Sequence, residues 1–253
     1  MVVEPVISKT KRMERKTYAQ EDYMSKSKNK EYAKRLKELE GYEKDIIAFK
    51  LVDEVPKGIE FYGDDVSFMC AIVAEVWQGR KCFYITNKNV LCGGAVYAGI
   101  GNKKMTKEDF DAGMETSLGK NKAYATRQIM RRVNQQIPHH FKHYKYLIIG
   151  SLEEVEEPDQ VMIVADANRI MRLCKAYTWK TGELTPGLQG TAWCTQSLPV
   201  VHRSKTMTYT LGDPPSRFLM QLEPGEMFCN IHYELLPLIV ENLENISSGH
   251  VLD

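Results

Sequence analysis

Short runs of apolar residues recur along the chain, and they predict the strands of a sheet. Each run combines β-branched, aromatic or alternating apolar positions with turn-forming neighbours, and each is too short to be a buried helix. The six runs cover residues 46–52, 82–86, 146–150, 161–165, 207–211 and 226–231. They therefore predict six strands, most of them buried.

Between these runs, apolar residues recur at helical spacing. Asp64 or Asp65 can cap one of these helices, and Asp166 or Asn168 can cap another. The predicted helices cover residues 31–40, about 64–79, 106–118, 122–134, 166–181 and 232–243. Strands that alternate with helices in this way favour an α/β fold, a mixed sheet with flanking helices.

Two stretches of the chain, about residues 44–105 and 158–212, resemble each other in their pattern. Each has a buried strand, then a helix with a cysteine, then a connection to a second cysteine. The pairs are Cys70 with Cys92 and Cys174 with Cys194, 22 and 20 residues apart. This pattern indicates an internal duplication into two related αβ halves. The alternative is the strand–helix repetition that any α/β chain shows.

Composition restricts the class of protein. Residues 1–30 are rich in Lys, Arg, Ser and Glu and predict a flexible basic arm, which leaves residues 31–253 as a single α/β domain. The net charge of +1 does not favour nucleic acid as a partner. The N-terminus has no export signal and no apolar run is long enough to cross a membrane, so we expect a cytoplasmic protein.

The six cysteines are the main candidates for chemistry. They contain no closely spaced pair, and in a chain without an export signal they are expected to be reduced. Cys82 and Cys229 fall in predicted strands and Cys70 and Cys174 on predicted helices, where packing explains them. Cys92 and Cys194 are predicted to lie in loops, where packing explains them less well. Since thiolates are soft ligands, three or four from Cys70, Cys92, Cys174 and Cys194 would suffice for an iron–sulfur cluster or zinc.

Several further motifs carry weaker signals. Residues 99–101 begin like a dinucleotide-binding fingerprint, but Lys103 and Lys104 replace its small residues. The histidines of residues 139–143 have no cysteine or carboxylate beside them, which favours a surface cluster over a metal site. Arg127 and Arg131 share a helix face that suits an anion, although a solvated face explains them too.

A set of residues in a consistent order resembles an uncharacterised prokaryotic family, domain of unknown function 169. The resemblance spans roughly Lys44 to Leu243. It is carried by the Cys70 helix, residues 92–95 and 99–101, residues 166–173, Cys194, residues 211–213, Ser216 with Arg217, and Glu226.

The resemblance implies which positions matter in this chain. They are Cys70, Cys92, Gly93, Gly94, Cys194, Gly212, Arg217 and Glu226. Residues 213–215 and Ile231-His232 depart from the family's pattern. The family brings no established activity, but it implies a cytoplasmic protein of anaerobe-leaning prokaryotes.

The leading hypothesis is an iron–sulfur or metal site formed by Cys70, Cys92 and Cys194. Gly93, Gly94 and Arg217 would complete the site, which would perform redox or Lewis-acid chemistry on a small anionic molecule or with a redox partner protein. One alternative is a small-molecule binding or sensing module without a cluster. The other is a thiol enzyme with Cys92 as nucleophile and His202 or His232 as base. The sequence leaves the substrate and the oligomeric state open.

Overall fold

A computed structural model describes residues 26–101, 124–137, 143–188 and 193–246, and every structural statement below concerns these ranges. The predicted helix over residues 106–118, most of the basic arm, and His139 and His140 lie outside them.

The strands follow the apolar runs of the sequence closely. All six predicted strands are confirmed to within one or two residues at each end, and two short strands join them. The strands are β1 (Ile47–Val52), β2 (Glu60–Phe61), β3 (Cys82–Ile85), β4 (Tyr146–Ser151), β5 (Gln160–Asp166), β6 (Gly187–Leu188), β7 (Met207–Thr210) and β8 (Glu226–His232).

Eight α-helices are described in the same ranges. They are α1 (Lys26–Glu40), α2 (Met69–Ala74), α3 (Gly94–Ala98), α4 (Arg127–Asn134), α5 (Ala167–Thr181), α6 (Trp193–Ser204), α7 (Pro214–Leu219) and α8 (Leu236–Asn245). The Asp166 carboxylate accepts hydrogen bonds from the first turn of α5, and Gly182 ends that helix in a left-handed conformation.

Two helices differ most from the prediction, whereas α1, α4 and α8 begin four or five residues away from their predicted starts. The helix predicted over about residues 64–79 is α2, which is only six residues long; neither Asp64 nor Asp65 caps it, because its N-cap is Phe68. Helix α6 was not predicted at all, since Cys194 was expected in a loop. Its sequence contains Pro199, which usually argues against a helix interior, yet Trp193 and Val201 are fully buried and hold the helix against the sheet.

The described strands form one mixed eight-stranded sheet in the order β2-β3-β4-β1-β5-β8-β7-β6. Neighbouring strands are antiparallel except for the outer pairs β2–β3 and β6–β7, which are parallel. Strands β1 and β5 pair antiparallel at the centre, where Ile47 lies opposite Met162. The predicted α/β fold with a mixed sheet and flanking helices is therefore confirmed.

Each face of the sheet is covered by helices and forms its own hydrophobic core. One core includes buried residues of α1, α5 and α8, such as Leu36, Leu173 and Ile239. The other includes residues of α2, α3 and α6, such as Met69, Ala95 and Trp193. Since side chains alternate along a strand, Ala48 faces the first core and Phe49 the second. The protein thus has three layers, α/β/α, and Cys70 and Cys194 belong to the second core.

The first four strands and the last four strands have the same arrangement. In each set the outer strand is short and parallel to its neighbour, and the first strand in sequence lies at the centre of the sheet. This likeness pairs α2, between β2 and β3, with α6, between β6 and β7. Cys70 and Cys194, each the second residue of its helix, are therefore equivalent by topology. The predicted pairing of Cys70 with Cys174 does not follow this topology, and descent from a duplication stays a prediction.

Candidate functional site

Three cysteines from distant parts of the chain lie together beneath the second layer of helices. Cys70 and Cys194 are at the starts of α2 and α6, and Cys92 lies two residues before α3. The thiols of Cys70 and Cys194 are hydrogen-bonded to each other. The Cys92 thiol accepts hydrogen bonds from the backbone of Met69, next to Cys70, and of Gly94. We call Cys70, Cys92 and Cys194 the thiol centre.

Gly94 allows two of these sulfurs to approach. A Cβ atom at this position would lie 3.2 Å from the Sγ of Cys92 and 3.3 Å from the Sγ of Cys194. It would also lie 2.7 Å from the Cβ of Met69, closer than real Cβ atoms come. Only glycine therefore fits between the two sulfurs and the start of α2.

The surroundings of Cys92 and Cys194 favour their neutral thiol forms. The hydrogen bond that the Cys194 thiol donates to Cys70, burial, and the neighbouring Cys70, Cys92 and Asp213 together raise the pKa of Cys194 well above its usual value. Burial also raises the pKa of Cys92, although its backbone hydrogen bonds act in the opposite direction. A nearby positive charge, such as a metal ion, would therefore favour the ionisation of Cys92 and Cys194.

The residues around the thiol centre are mostly apolar. Trp193, which precedes Cys194, packs its ring 5.7 Å from Phe49 and 6.0 Å from Phe228. Cys194 is fully buried, whereas Cys92 is partly exposed. Of the three thiols, Cys92 is therefore the one that solvent reaches most readily.

Asp213 is a residue near the centre that sequence reasoning did not select. Its charge contributes to the raised pKa of Cys194. One carboxylate oxygen caps α7 by accepting a hydrogen bond from the backbone of Ser216 at 3.1 Å. In the two-half arrangement α7 corresponds to α3, so Asp213 stands near the position that Cys92 and Gly93 take in the first half. The sequence signal that could have pointed to Asp213 is the Asp-Pro-Pro sequence of residues 213–215, where the chain departs from the family pattern.

The thiol centre is not a ready-made metal site in this structure. No group of three or more His, Cys, Asp or Glu side chains in the four described ranges has the arrangement needed to hold a metal ion. The structure brings together the three predicted cysteines, but their role as metal ligands stays a prediction.

The other predicted site residues lie on three different helices, α3, α7 and α4, and only those at the start of α3 are beside the thiol centre. Gly93 and Gly94 lie at the start of α3 beside the thiol centre. The guanidinium of Arg217 donates hydrogen bonds to the carbonyl oxygens of Leu211, Glu223, Pro224 and Glu226 at 2.7–3.1 Å. These contacts tie α7 to β8 and favour a structural role for Arg217. Arg127 and Arg131 are exposed on α4, and their binding of an anion stays a prediction.

The candidate bases lie away from Cys92. His202 is in the last turn of α6, at the opposite end of that helix from Cys194. It interacts with Asp159 and with His232, the last residue of β8. Cys174 and Cys229 belong to the core on the other face of the sheet. The described contacts therefore group the histidines with Asp159.

The fold and site together define a class: a three-layer α/β/α protein with three free thiols converging beneath the helices of one face. The sequence profile of DUF169, described as an uncharacterised ArCR family, matches residues 35–242. The chain therefore belongs to this family, as its sequence motifs predicted. No curated protein and no solved structure matches it. None of the helices described is long and apolar enough to cross a membrane.

Proposed function

We propose that Cys70, Cys92 and Cys194 hold an iron–sulfur cluster. The observation that supports the proposal is the convergence of these three thiols from three separate segments. Packing alone explains one buried cysteine well, but it gives no reason for three to meet at one point. Thiolates are the usual ligands of iron–sulfur clusters.

The chemistry of the site fits a cluster better than a single hard cation. Its three donors are sulfur atoms, and soft sulfur ligands favour iron–sulfur clusters, zinc or copper(I) over magnesium or calcium. Cys70 raises the pKa of Cys92, and Cys70 and Cys92 raise that of Cys194, so a bound cationic group would stabilise the thiolates that it needs. Binding would release the thiol protons and would replace the hydrogen bond between Cys70 and Cys194. A cluster with three protein ligands would supply redox or Lewis-acid chemistry at its fourth position.

Iron and acid-labile sulfide, measured together with a visible spectrum on protein purified without oxygen, test this proposal. We expect stoichiometric iron in the natural protein and its loss in Cys92→Ser and in Cys194→Ser. Cys174→Ser is the matched control, because Cys174 is equally a helix cysteine but lies on the other face. Absence of iron after anaerobic reconstitution of the natural protein would exclude the cluster.

A second candidate function is thiol chemistry at Cys92 without a metal. It is favoured by the partial exposure of Cys92 and by the backbone hydrogen bonds to its thiol from Met69, Gly94 and Cys92 itself, which lower the pKa that burial raises. Iodoacetamide labelling of iron-free protein would separate the two candidates. Fast labelling of Cys92 near neutral pH supports thiol chemistry, and labelling no faster than that of Cys174 excludes it.

A further inference from the structure

The contact between α6 and the sheet is made by polar side chains. Of the thirteen buried polar or charged residues described, eight lie on α6 or on the strands beneath it. They are Gln160, Thr195, Gln196, Ser197, Thr208, Thr210, Asn230 and His232. We call these eight residues the polar layer. Helices normally pack on sheets through apolar side chains, so this composition needs an explanation.

The corresponding place in the first half of the sheet is apolar. Strands β3 and β4 present Phe83, Ile85, Leu147 and Ile149 to the same face, and all four are buried. The α/β architecture itself therefore does not require polar residues beneath this helix layer. The polar layer belongs specifically to the half that contains α6.

Part of the polar layer is internally hydrogen-bonded, and these bonds orient its side chains. The Ser197 hydroxyl lies 2.6 Å from that of Thr208 and donates to Oδ1 of Asn230 at 3.0 Å. The Gln160 Nε2 donates to the backbone oxygen of Leu198 at 3.2 Å. As a result Asn230 turns its NH₂ group, and Gln160 its carbonyl oxygen, away from these partners.

Four buried polar atoms of this region have no hydrogen-bond partner in the described part of the chain. Two are donors, Asn230 Nδ2 and the indole Nε1 of Trp193. Two are acceptors, Gln160 Oε1 and Gln196 Oε1. Trp193 stacks on Phe228, which is two residues from Asn230 on the same side of β8. Buried polar atoms are rarely left without a partner, so we expect bound water or a bound ligand to satisfy these four atoms.

A ligand that partners the four unpartnered atoms is expected to be uncharged. The polar layer contains no Lys, Arg, Asp or Glu. Its one ionisable member is His232, whose pKa burial lowers to about 4, so it is neutral near pH 7. A charged ligand would find no counter-ion in this layer.

We propose that the polar layer is a binding site for a primary carboxamide group. The carbonyl oxygen of a carboxamide has two lone pairs, which match the two unpartnered donors. Its NH₂ group has two N–H bonds, which match the two unpartnered acceptors. Trp193 directly precedes Cys194 on α6, so we place the bound group beside the thiol centre. That the carboxamide belongs to the substrate of the thiol centre rests on the function proposed above.

Acetamide is the probe, and the NMR signals of side-chain amide and indole N–H groups are the readout. We expect saturable shifts of the Asn230 and Trp193 signals when acetamide is added to iron-free protein. The side-chain amide of Asn242 is the internal control, because it is also buried but lies on the other face of the sheet. Acetate, which has the same size and a charge, should leave the Asn230 signal unchanged.

Gln160→Met is the matched variant, since it keeps the shape of the side chain and removes Oε1. We expect acetamide binding to weaken at least tenfold in this variant, while the unliganded spectrum shows that it is folded. Shifts that stay linear with acetamide concentration, and equal at Asn230 and Asn242, would overturn the proposal in favour of water alone. Because the titration uses iron-free protein, its outcome is independent of whether a cluster binds.

Discussion

The two halves of the sheet share a strand order but bury different chemistry. Beneath the helices of the first half the strands present large apolar side chains such as Phe83 and Ile149. At the corresponding place in the second half they present Thr208 and Asn230. The thiol centre lies between these regions, because Cys70 and Cys92 come from the first half and Cys194 from the second. The comparison teaches that the same strand order accommodates an apolar buried surface in one half and a polar one in the other, and the polar one is where we propose binding.

The largest effect on stability is expected from Phe83→Ala in the apolar half. Phe83 is fully buried, and the variant loses its apolar surface and leaves a cavity. We expect the free energy of unfolding to fall by about 3–5 kcal/mol. Urea denaturation measures this change. A loss below about 1 kcal/mol would contradict the view that the buried apolar side chains of the first half stabilise the fold.

Gly94→Ala is expected to have the next largest effect, at the boundary between the halves. The new Cβ would overlap with Met69, which is fully buried, so helix α3 or α2 must shift. We expect a loss of about 1–3 kcal/mol in unfolding free energy, together with lower iron content. The control is Gly225→Ala, where a Cβ meets no atom within 4 Å. Equal stability of the two variants would show that the close approach at Gly94 is unimportant.

A pH-dependent loss of stability is expected from His232 in the polar half. Burial lowers the pKa of this histidine to about 4, below its unfolded value near 6.5. Since the unfolded chain then binds more protons, stability falls as the pH is lowered from about 6.5 to 4. In the variant His232→Asn, the decrease in the free energy of unfolding between pH 6.5 and 4 should be smaller by about 1–2 kcal/mol. Burial also lowers the pKa of His202 and raises that of Asp159, so the remaining pH dependence in the variant measures their contribution.

The smallest effect is expected from Thr208→Val in the polar layer. The substitution keeps the shape of the side chain and removes the hydroxyl that lies 2.6 Å from Ser197 Oγ. We expect a loss of about 1 kcal/mol. A double-mutant cycle with Ser197→Ala measures the coupling between the two hydroxyls. Additive effects would show that the polar layer is not an internally bonded unit.

Much of the fold could be predicted because its signals are local. The apolar runs predicted six strands, and Asp166 and Gly182 mark the ends of α5 correctly. Helix α6 could not be predicted in this way. Its polar residues and Pro199 resemble a loop, and the burial of Trp193 and Val201 stabilises the helix despite them.

The predicted correspondence between the two halves was wrong for one helix, and the reason is physical. Helix α5 carries Cys174 and was expected to correspond to the helix of Cys70. The structure inserts α5 between β5 and β6, where the first half has only the connection between β1 and β2. The pattern of strands and helices in the sequence does not show that a helix has been inserted, because strands and helices still alternate in both halves. The same topology makes Cys194 the counterpart of Cys70.

The thiol centre was predicted in part. The three cysteines were selected from their sequence setting and from the family resemblance, and the structure places them together. Arg217 was selected in the same way, but its contacts with four carbonyl groups depend on the turn between α7 and β8. The polar layer was missed, although Asn230 inside an otherwise apolar strand was a signal in the sequence.

An X-ray absorption spectrum at the iron edge, taken on anaerobically reconstituted protein, tests the central claim most directly. The account predicts a first shell dominated by sulfur and a second shell of iron, both lost in Cys194→Ser and kept in Cys174→Ser. Iron surrounded by nitrogen or oxygen without a second iron shell, or a natural protein that takes up no iron, would contradict it.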